Sequence, residues 1–210
     1  FEANPDFPDA LGGRPYVDRY VYRVIADDAT QATAIRAGEV DLLPEASPAN
    51  LGLFAADTSV RLITYDDSDY SFIAWNTRRS LFAEPEVRRA LTMAIDRPGI
   101  VAAVLEGEGM VGVGPVGPWH WAFDSTNVPL PHAPDSARAF LAAAGWTDAD
   151  ADGVLDLDGR PFDFTMYMTP RDTWRSVAAI VQSNLRDVGI AMDVEVREAS
   201  SLQPLVTSPD

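Results

Sequence analysis

Cysteine and lysine are both missing from the 210 residues. The first absence rules out a structural disulfide, a thiolate zinc site and a cysteine nucleophile, although it does not by itself fix the compartment. The second leaves all sixteen basic residues as arginine, against 32 Asp and Glu, for a formal net charge of −16. A chain so acidic repels phosphate backbones, which makes nucleic acid a poor partner, and the plain role of the charge is solubility. No apolar run approaches transmembrane length. Histidine occurs only as His120 and His132, which form no metal-ligand spacing with each other or with a carboxylate pair. There is no G-x-S-x-G, no H-E-x-x-H and no glycine-rich phosphate loop. Carboxylates are plentiful, so an acid–base pair for hydrolysis stays open, but nothing singles one out. A signal peptide is also lacking, and the opening Phe1-Glu2-Ala3-Asn4-Pro5 does not read as a natural start. The expectation is an excised piece of a longer protein.

With 47% hydrophobic residues, the chain has enough apolar material for a packed core. Residues 17–25 are rich in β-branched and aromatic side chains and read as a strand, as do 40–43, 60–65 and 70–76, with an acidic turn over Asp66-Asp67-Ser68-Asp69. Thr30 is placed to cap a helix that ends at Ala37 before Gly38. Ser47-Pro48 reads as a helix start. A helix from Pro85 puts Val87, Ala90, Leu91, Ala94 and Ile95 on one face. Asp96 can cap the next helix, to about Leu105. Residues 107–134, dense in glycine and proline, read as a long ordered loop because Trp119, Trp121 and Phe123 seek burial. A helix over 135–144 follows, closed by Gly145.

In the last third, Phe162, Phe164, Met166 and Met168 alternate with polar positions. Asp172 is placed to cap a helix with an apolar stripe of Trp174, Val177, Ala178, Val181, Leu185 and Val188. Ile190, Met192, Val194 and Val196 then alternate as a second strand. Strand, helix and strand at this spacing predict a parallel βαβ unit.

In this order the segments resemble the family 5 extracellular solute-binding proteins, the dipeptide-, oligopeptide- and nickel-binding components of ABC importers. The resemblance runs through Asn4-Pro5 with Arg14-Pro15-Tyr16-Val17-Asp18-Arg19, Ala37-Gly38-Glu39-Val40-Asp41, Phe72-Ile73-Ala74-Trp75-Asn76-Thr77, and Phe82 with Val87-Arg88-Arg89-Ala90-Leu91. It continues through Ala94-Ile95-Asp96-Arg97, Ala142-Ala143-Ala144-Gly145-Trp146 and Val188-Gly189-Ile190. It implies an α/β fold of the two-lobed type II periplasmic-binding-protein kind, a mixed sheet with flanking helices. Residues 1–68 would be the C-terminal portion of the first lobe and 69–210 an incomplete second lobe. It further implies that an aromatic- and Asp-bearing ligand segment of the family falls beyond this chain's end.

The function implied is solute capture, most readily of a peptide, by hinge closure outside the cytoplasm. The protein would be a monomer that serves ABC permease subunits and is lipid-anchored in full length. Oligosaccharide or nickel-complex binding is the variant within the fold, and a carboxylate-based hydrolase fragment is the alternative of another class. Candidate ligand contacts are Tyr70, Phe72, Trp75 and Asn76 on the strand that enters the second lobe. Strand alternation puts Tyr70, Phe72, Ala74 and Asn76 on one face and Ser71, Ile73 and Trp75 on the other. The plainer reading makes the apolar ones core. Trp119 and Trp121 can stack on a ligand or simply pin their loop. Arg88 and Arg89 can meet an anionic ligand; the plainer reading leaves one exposed and pairs the other with Glu84 or Glu86.

The sharpest chemical motif is Asp148-Ala149-Asp150-Ala151-Asp152-Gly153-Val154-Leu155-Asp156-Leu157-Asp158-Gly159. Its carboxylates fall at loop positions 1, 3, 5 and 9, with glycine at 6 and the Val154 carbonyl at 7, which is the pattern of a calcium loop. The twelfth position is Gly159 rather than a bidentate Glu, and Asp158 is the available substitute. A structural Ca2+ held by Asp148, Asp150, Asp152, Val154, Asp156 and Asp158 is one reading. A solvated acidic turn is the other, as is a calcium-dependent adhesive domain for the chain as a whole. No cofactor is required for capture itself.

Overall fold

The computed structural model describes residues 1–65 and 69–207. Its chain forms two compact units, Phe1–Ile63 and Thr64–Asp210. The turn expected around Asp66 lies largely outside the described residues.

The first unit holds two helices. α1 (Asp28–Arg36) is capped by Asp27, not Thr30. The Asp27 carboxylate accepts from the Thr30 amide at 2.7 Å and from its hydroxyl at 2.6 Å. Two capping residues three positions apart compete, and the winner is the one whose oxygen reaches the orphan N–H of the third helical residue. At the other end Gly38, with φ +70°, lets Glu39 N–H reach the Ala34 carbonyl at 2.9 Å, a Schellman closure. Pro48 opens a 3-10 turn that leads into α2 (Leu51–Ala55), whose Phe54 is buried. The Arg36 guanidinium bonds Asp57 at 2.6 Å.

The expected strands at 17–25, 40–43 and 60–65 do not form. Only Arg19 makes a β-bridge, to Glu2. Val17, Val21, Tyr22, Val24 and Ile63 are exposed. Strand propensity describes a fit to a pleated neighbour, and among the described residues no neighbouring strand is present.

Asp57 gives this unit a pH signature. A hydrogen bond from the Ser59 hydroxyl, with Arg36 next, lowers its carboxyl from 3.8 to about 2. A depressed carboxyl contributes stability above its unfolded value, and that contribution is lost as pH falls through the folded one. Amide exchange of α1 compared between wild type and Asp57→Asn is expected to differ at pH 5, to differ much less at pH 2, and to converge below it. A difference that persists unchanged at pH 2 would refute the assignment.

The second unit carries the main core. α3 (Ser80–Ala83) leads into α4 (Pro85–Ala94), which buries Val87, Ala90, Leu91, Met93 and Ala94. α5 (Arg97–Val104) is capped by Asp96, which accepts from the Gly99 amide at 2.9 Å. α6 (Pro134–Ala143) packs its fully buried Ala137 and Leu141 on α4 and closes at Gly145. A hairpin of β1 (Asp156–Leu157) and β2 (Arg160–Pro161) turns through Asp158 and Gly159, both at positive φ, the geometry of a type I′ turn.

β3 (Asp163–Met168) and β4 (Ala191–Val196) then pair in parallel, with Phe164 opposite Met192, across α7 (Asp172–Asp187). This is the expected βαβ unit. Asp172 is the first residue of α7 and makes no side-chain cap; Arg171 occupies the cap position. The acid acts there through the helix dipole instead. α7 buries Ala178, Val181 and Leu185, and Phe162, Ile190 and Met192 complete that core. A last helix, α8 (Ala199–Thr207), follows β4.

The long loop is held differently from the expectation. Trp121 is 92% exposed and Trp119 45%. The loop is tied at its C-terminal end instead, where Ala133 N–H donates to the Met93 carbonyl at 2.8 Å and the Arg97 guanidinium donates to the Leu130 carbonyl. Backbone bonds need no ring to enter a core already filled by α4, α6 and α7.

Candidate functional site

Residues 70–76 have no regular secondary structure and, contrary to expectation, form no strand with any described residue. Their side chains still alternate. Ile73 and Trp75 turn inward and are half-buried against the core. The Trp75 ring lies 5.2 Å from Phe82 and, edge-on, 5.9 Å from Phe164. Tyr70 and Phe72 turn outward, 52% and 71% exposed, with ring centroids 5.4 Å apart. Asn76 ends the segment with its side-chain oxygen accepting from Arg78 N–H at 3.1 Å and its carbonyl accepting from Arg79 N–H at 3.1 Å.

The candidate contacts are thereby sorted. Tyr70 and Phe72 form an outward aromatic pair that a ligand can meet, Asn76 is an exposed turn residue, and Trp75 packs inward on Phe82 and Phe164. Large rings held on an open face by packing on the opposite face are the ordinary material of a binding wall.

Trp119 and Trp121 are not brought into that pair. Trp121 stacks near His120 at 5.5 Å, and Trp119 lies across Gly117, where a Cβ would sit 2.2 Å from its ring. His120 accepts from Ala122 N–H at 3.1 Å, and His132 stands 3.6 Å from Asp96. Arg89 pairs with Glu86 at 3.6 Å and lies over the Phe140 ring, whereas Arg88 donates to main-chain carbonyls. Arg97 was legible only as part of a motif. It proves to be an anchor whose burial lowers its pKa.

The acidic loop divides its candidate ligands. Carboxylate oxygens of Asp148, Asp150 and Asp156 lie within 4.8 Å of one another. Asp152 and Asp158 stand outside that group. The Asp152 carboxylate accepts from Val154 N–H at 2.7 Å, and the Asp148 carboxylate accepts from Gly153 N–H at 3.1 Å. Asp158 is spent on the β1–β2 turn, at φ +53°. Gly153, at φ +92°, makes the sharp bend as expected. Three converging carboxylates can attract a hard cation, but six to eight oxygens make a calcium shell. Much of the loop's polar capacity is already used to close the loop on itself.

A hollow of about 430 Å³ borders this loop, lined by Arg138, Trp146, Leu155 and Gly189 among others. It shares no residue with the 70–76 segment. Its cation is engaged, since Arg138 donates to Asp135 at 2.6 Å and to the Asp187 carbonyl at 2.7 Å.

The family model described as bacterial extracellular solute-binding proteins, family 5 Middle, matches residues 1–209. The oligopeptide-binding protein AppA of Bacillus subtilis is 33% identical over 214 residues, which cover 100% of this chain and 38% of that protein. The solved structure of that protein in complex with a nonapeptide superposes with a TM-score of 0.81 at 31% identity, covering 100% of this chain and 41% of the other. NikA from Brucella suis, solved in complex with Fe(III)-EDTA, superposes with a TM-score of 0.75 at 26% identity over 91% of this chain and 40% of that one. The chain thus spans about two fifths of the length of the relatives it matches.

Proposed function

This chain belongs to the bacterial extracellular solute-binding proteins, family 5, and from that premise we propose that it forms part of the solute-capturing subunit of an ABC importer, with peptides as its ligand. The observation that carries the reading is the match across residues 1–209, supported by a 33% identical relative named for oligopeptide binding. Residues 1–68 belong to one lobe and 69–210 to the other. Capture is a shift between open and closed arrangements of the lobes, drawn toward the closed state by ligand contacts made only there. The subunit works outside the cytoplasm as a lipid-anchored monomer, hands its ligand to permease subunits and leaves it chemically unchanged.

Tyr70 and Phe72 supply the aromatic wall, and Asn76 an amide for a peptide main chain. Trp119 and Trp121 add stacking surface from the long loop. The exposure of Tyr70 and Phe72, with Ile73 and Trp75 of the same segment packed inward on the core, supports this assignment. A metal complex is the second ligand class that the fold accommodates, as the chelate-bound neighbour illustrates.

Calorimetric titration of di- to nonapeptides tests the reading. The complete gene product is expected to bind at least one length class, and residues 1–210 alone to bind it at least ~100-fold more weakly, because part of the enclosing wall is gone. Phe72→Ala in the complete protein is expected to weaken binding about tenfold, on the scale of an anchoring aromatic side chain. Tight peptide binding by residues 1–210 alone, or turnover of the peptide, would overturn the proposal.

A further inference from the structure

We infer that Arg88 is a positioning residue for the ligand-facing segment 70–76, an inference that rests on the capture role proposed for that segment. α3 is a single turn, and its last carbonyls need donors from outside the helix. Arg88, from the start of α4, supplies them. One guanidinium nitrogen donates to the Phe82 carbonyl at 2.7 Å and to the Ala83 carbonyl at 2.6 Å. A cation at the carbonyl end of a helical turn also meets the favourable end of its dipole. Its own amide bonds the Glu84 carbonyl at 3.3 Å in the first turn of α4, so one residue both belongs to α4 and ties down the end of α3 at the corner between them.

The corner fixes Phe82, which is 5% exposed and sits 5.2 Å from both Trp75 and Phe164. Phe82 in turn holds Trp75 against the core. Burial alternates from Phe72 to Asn76 with Ile73 and Trp75 inward, so a Trp75 held inward keeps Phe72 and Asn76 outward. The neighbouring Arg89 takes no part, since it is paired with Glu86. Arg88 therefore acts through Phe82 and Trp75 on a face it never touches.

The test uses the complete protein labelled with 5-fluorotryptophan, with the Trp75 resonance assigned by Trp75→Phe. Arg88→Met keeps the apolar stem and removes the donors. It is expected to shift the Trp75 resonance while those of Trp146 and Trp174 stay in place, and to weaken peptide binding roughly tenfold, the scale of lost charge-assisted hydrogen bonds. Arg88→Lys, which retains charge and donors, is expected to recover part of both effects. Should Arg88→Met fail to fold, Arg88→Gln is expected to show the same displacement at smaller amplitude. An unmoved Trp75 resonance in a folded Arg88 variant overturns the positioning role. A moved resonance with unchanged affinity also overturns it, provided Phe72→Ala weakens binding. If Phe72→Ala leaves affinity intact, the capture role of the segment is what fails.

Discussion

Phe162→Ala is expected to lower the stability of the unit that begins at Thr64 by about 3–5 kcal/mol, the range for a large aromatic removed from a closed core. Phe162 has no exposed surface and is the largest of the fully buried side chains. Its ring lies 4.4 Å from Trp146 and 6.4 Å from Phe164, so it joins the end of α6 to β3. The backbone around it cannot close over the space. Its N–H donates to the Leu155 carbonyl at 2.7 Å, and its carbonyl accepts from Ala191 N–H at 3.0 Å. The ring's removal therefore leaves a cavity instead of a collapse. Urea unfolding followed by far-UV circular dichroism reads the change. Since domains are usually stable by only about 5–15 kcal/mol, the variant should lose a large share of its margin. A loss below about 1 kcal/mol would mean that the core relaxes around the gap.

Gly189→Ala is the second large effect, about 2–4 kcal/mol from two sources that add. The residue has φ +82°, a conformation that costs any side chain. A Cβ there would also stand 2.8 Å from Leu155 Cγ, where no real contact falls. The Leu155 backbone is held, because its amide is bonded to the Gly189 carbonyl at 2.8 Å, so relief requires its side chain to leave its present rotamer. Gly38 separates the two costs. Its φ is +70°, but nothing lies within 4 Å of its added Cβ. Gly38→Ala should therefore show the conformational penalty alone, about 1–2 kcal/mol. Equal losses at the two positions, each measured by the unfolding of its own unit, would remove the steric part of the argument.

Both effects fall where local pattern and tertiary packing coincide, and much of the fold was legible there. The helix from Pro85 needed only its spaced apolar residues, and the burial of Val87, Ala90, Leu91 and Ala94 follows the stripe. The strand–helix–strand unit of residues 162–196 was equally readable, because a period of two, then 3.6, then two again leaves few arrangements. The candidate site was legible in part. The two faces of the 70–76 segment come from alternation, but which face was core depended on Phe82 and Phe164, residues far apart in sequence. That Tyr70 and Phe72 turn outward while Trp75 packs on Phe82 and Phe164 was a decision of packing. Caps were harder, since Asp27 and Thr30 are equally competent by residue type and a distance chose between them.

Sequence by itself therefore determined the longer helices α1 and α4 to α7, the βαβ unit and the family resemblance, because each depends on spacing along one stretch of chain, whereas the short α3 and the terminal α8 were not read. Tertiary structure alone decided which extended segments become strands, which carboxylates of the acidic loop converge, and how the long loop is tied down. The reason is physical: a helix completes its hydrogen bonds within itself, whereas a strand, a cluster of like charges and a loop without a core take their form from what lies beside them.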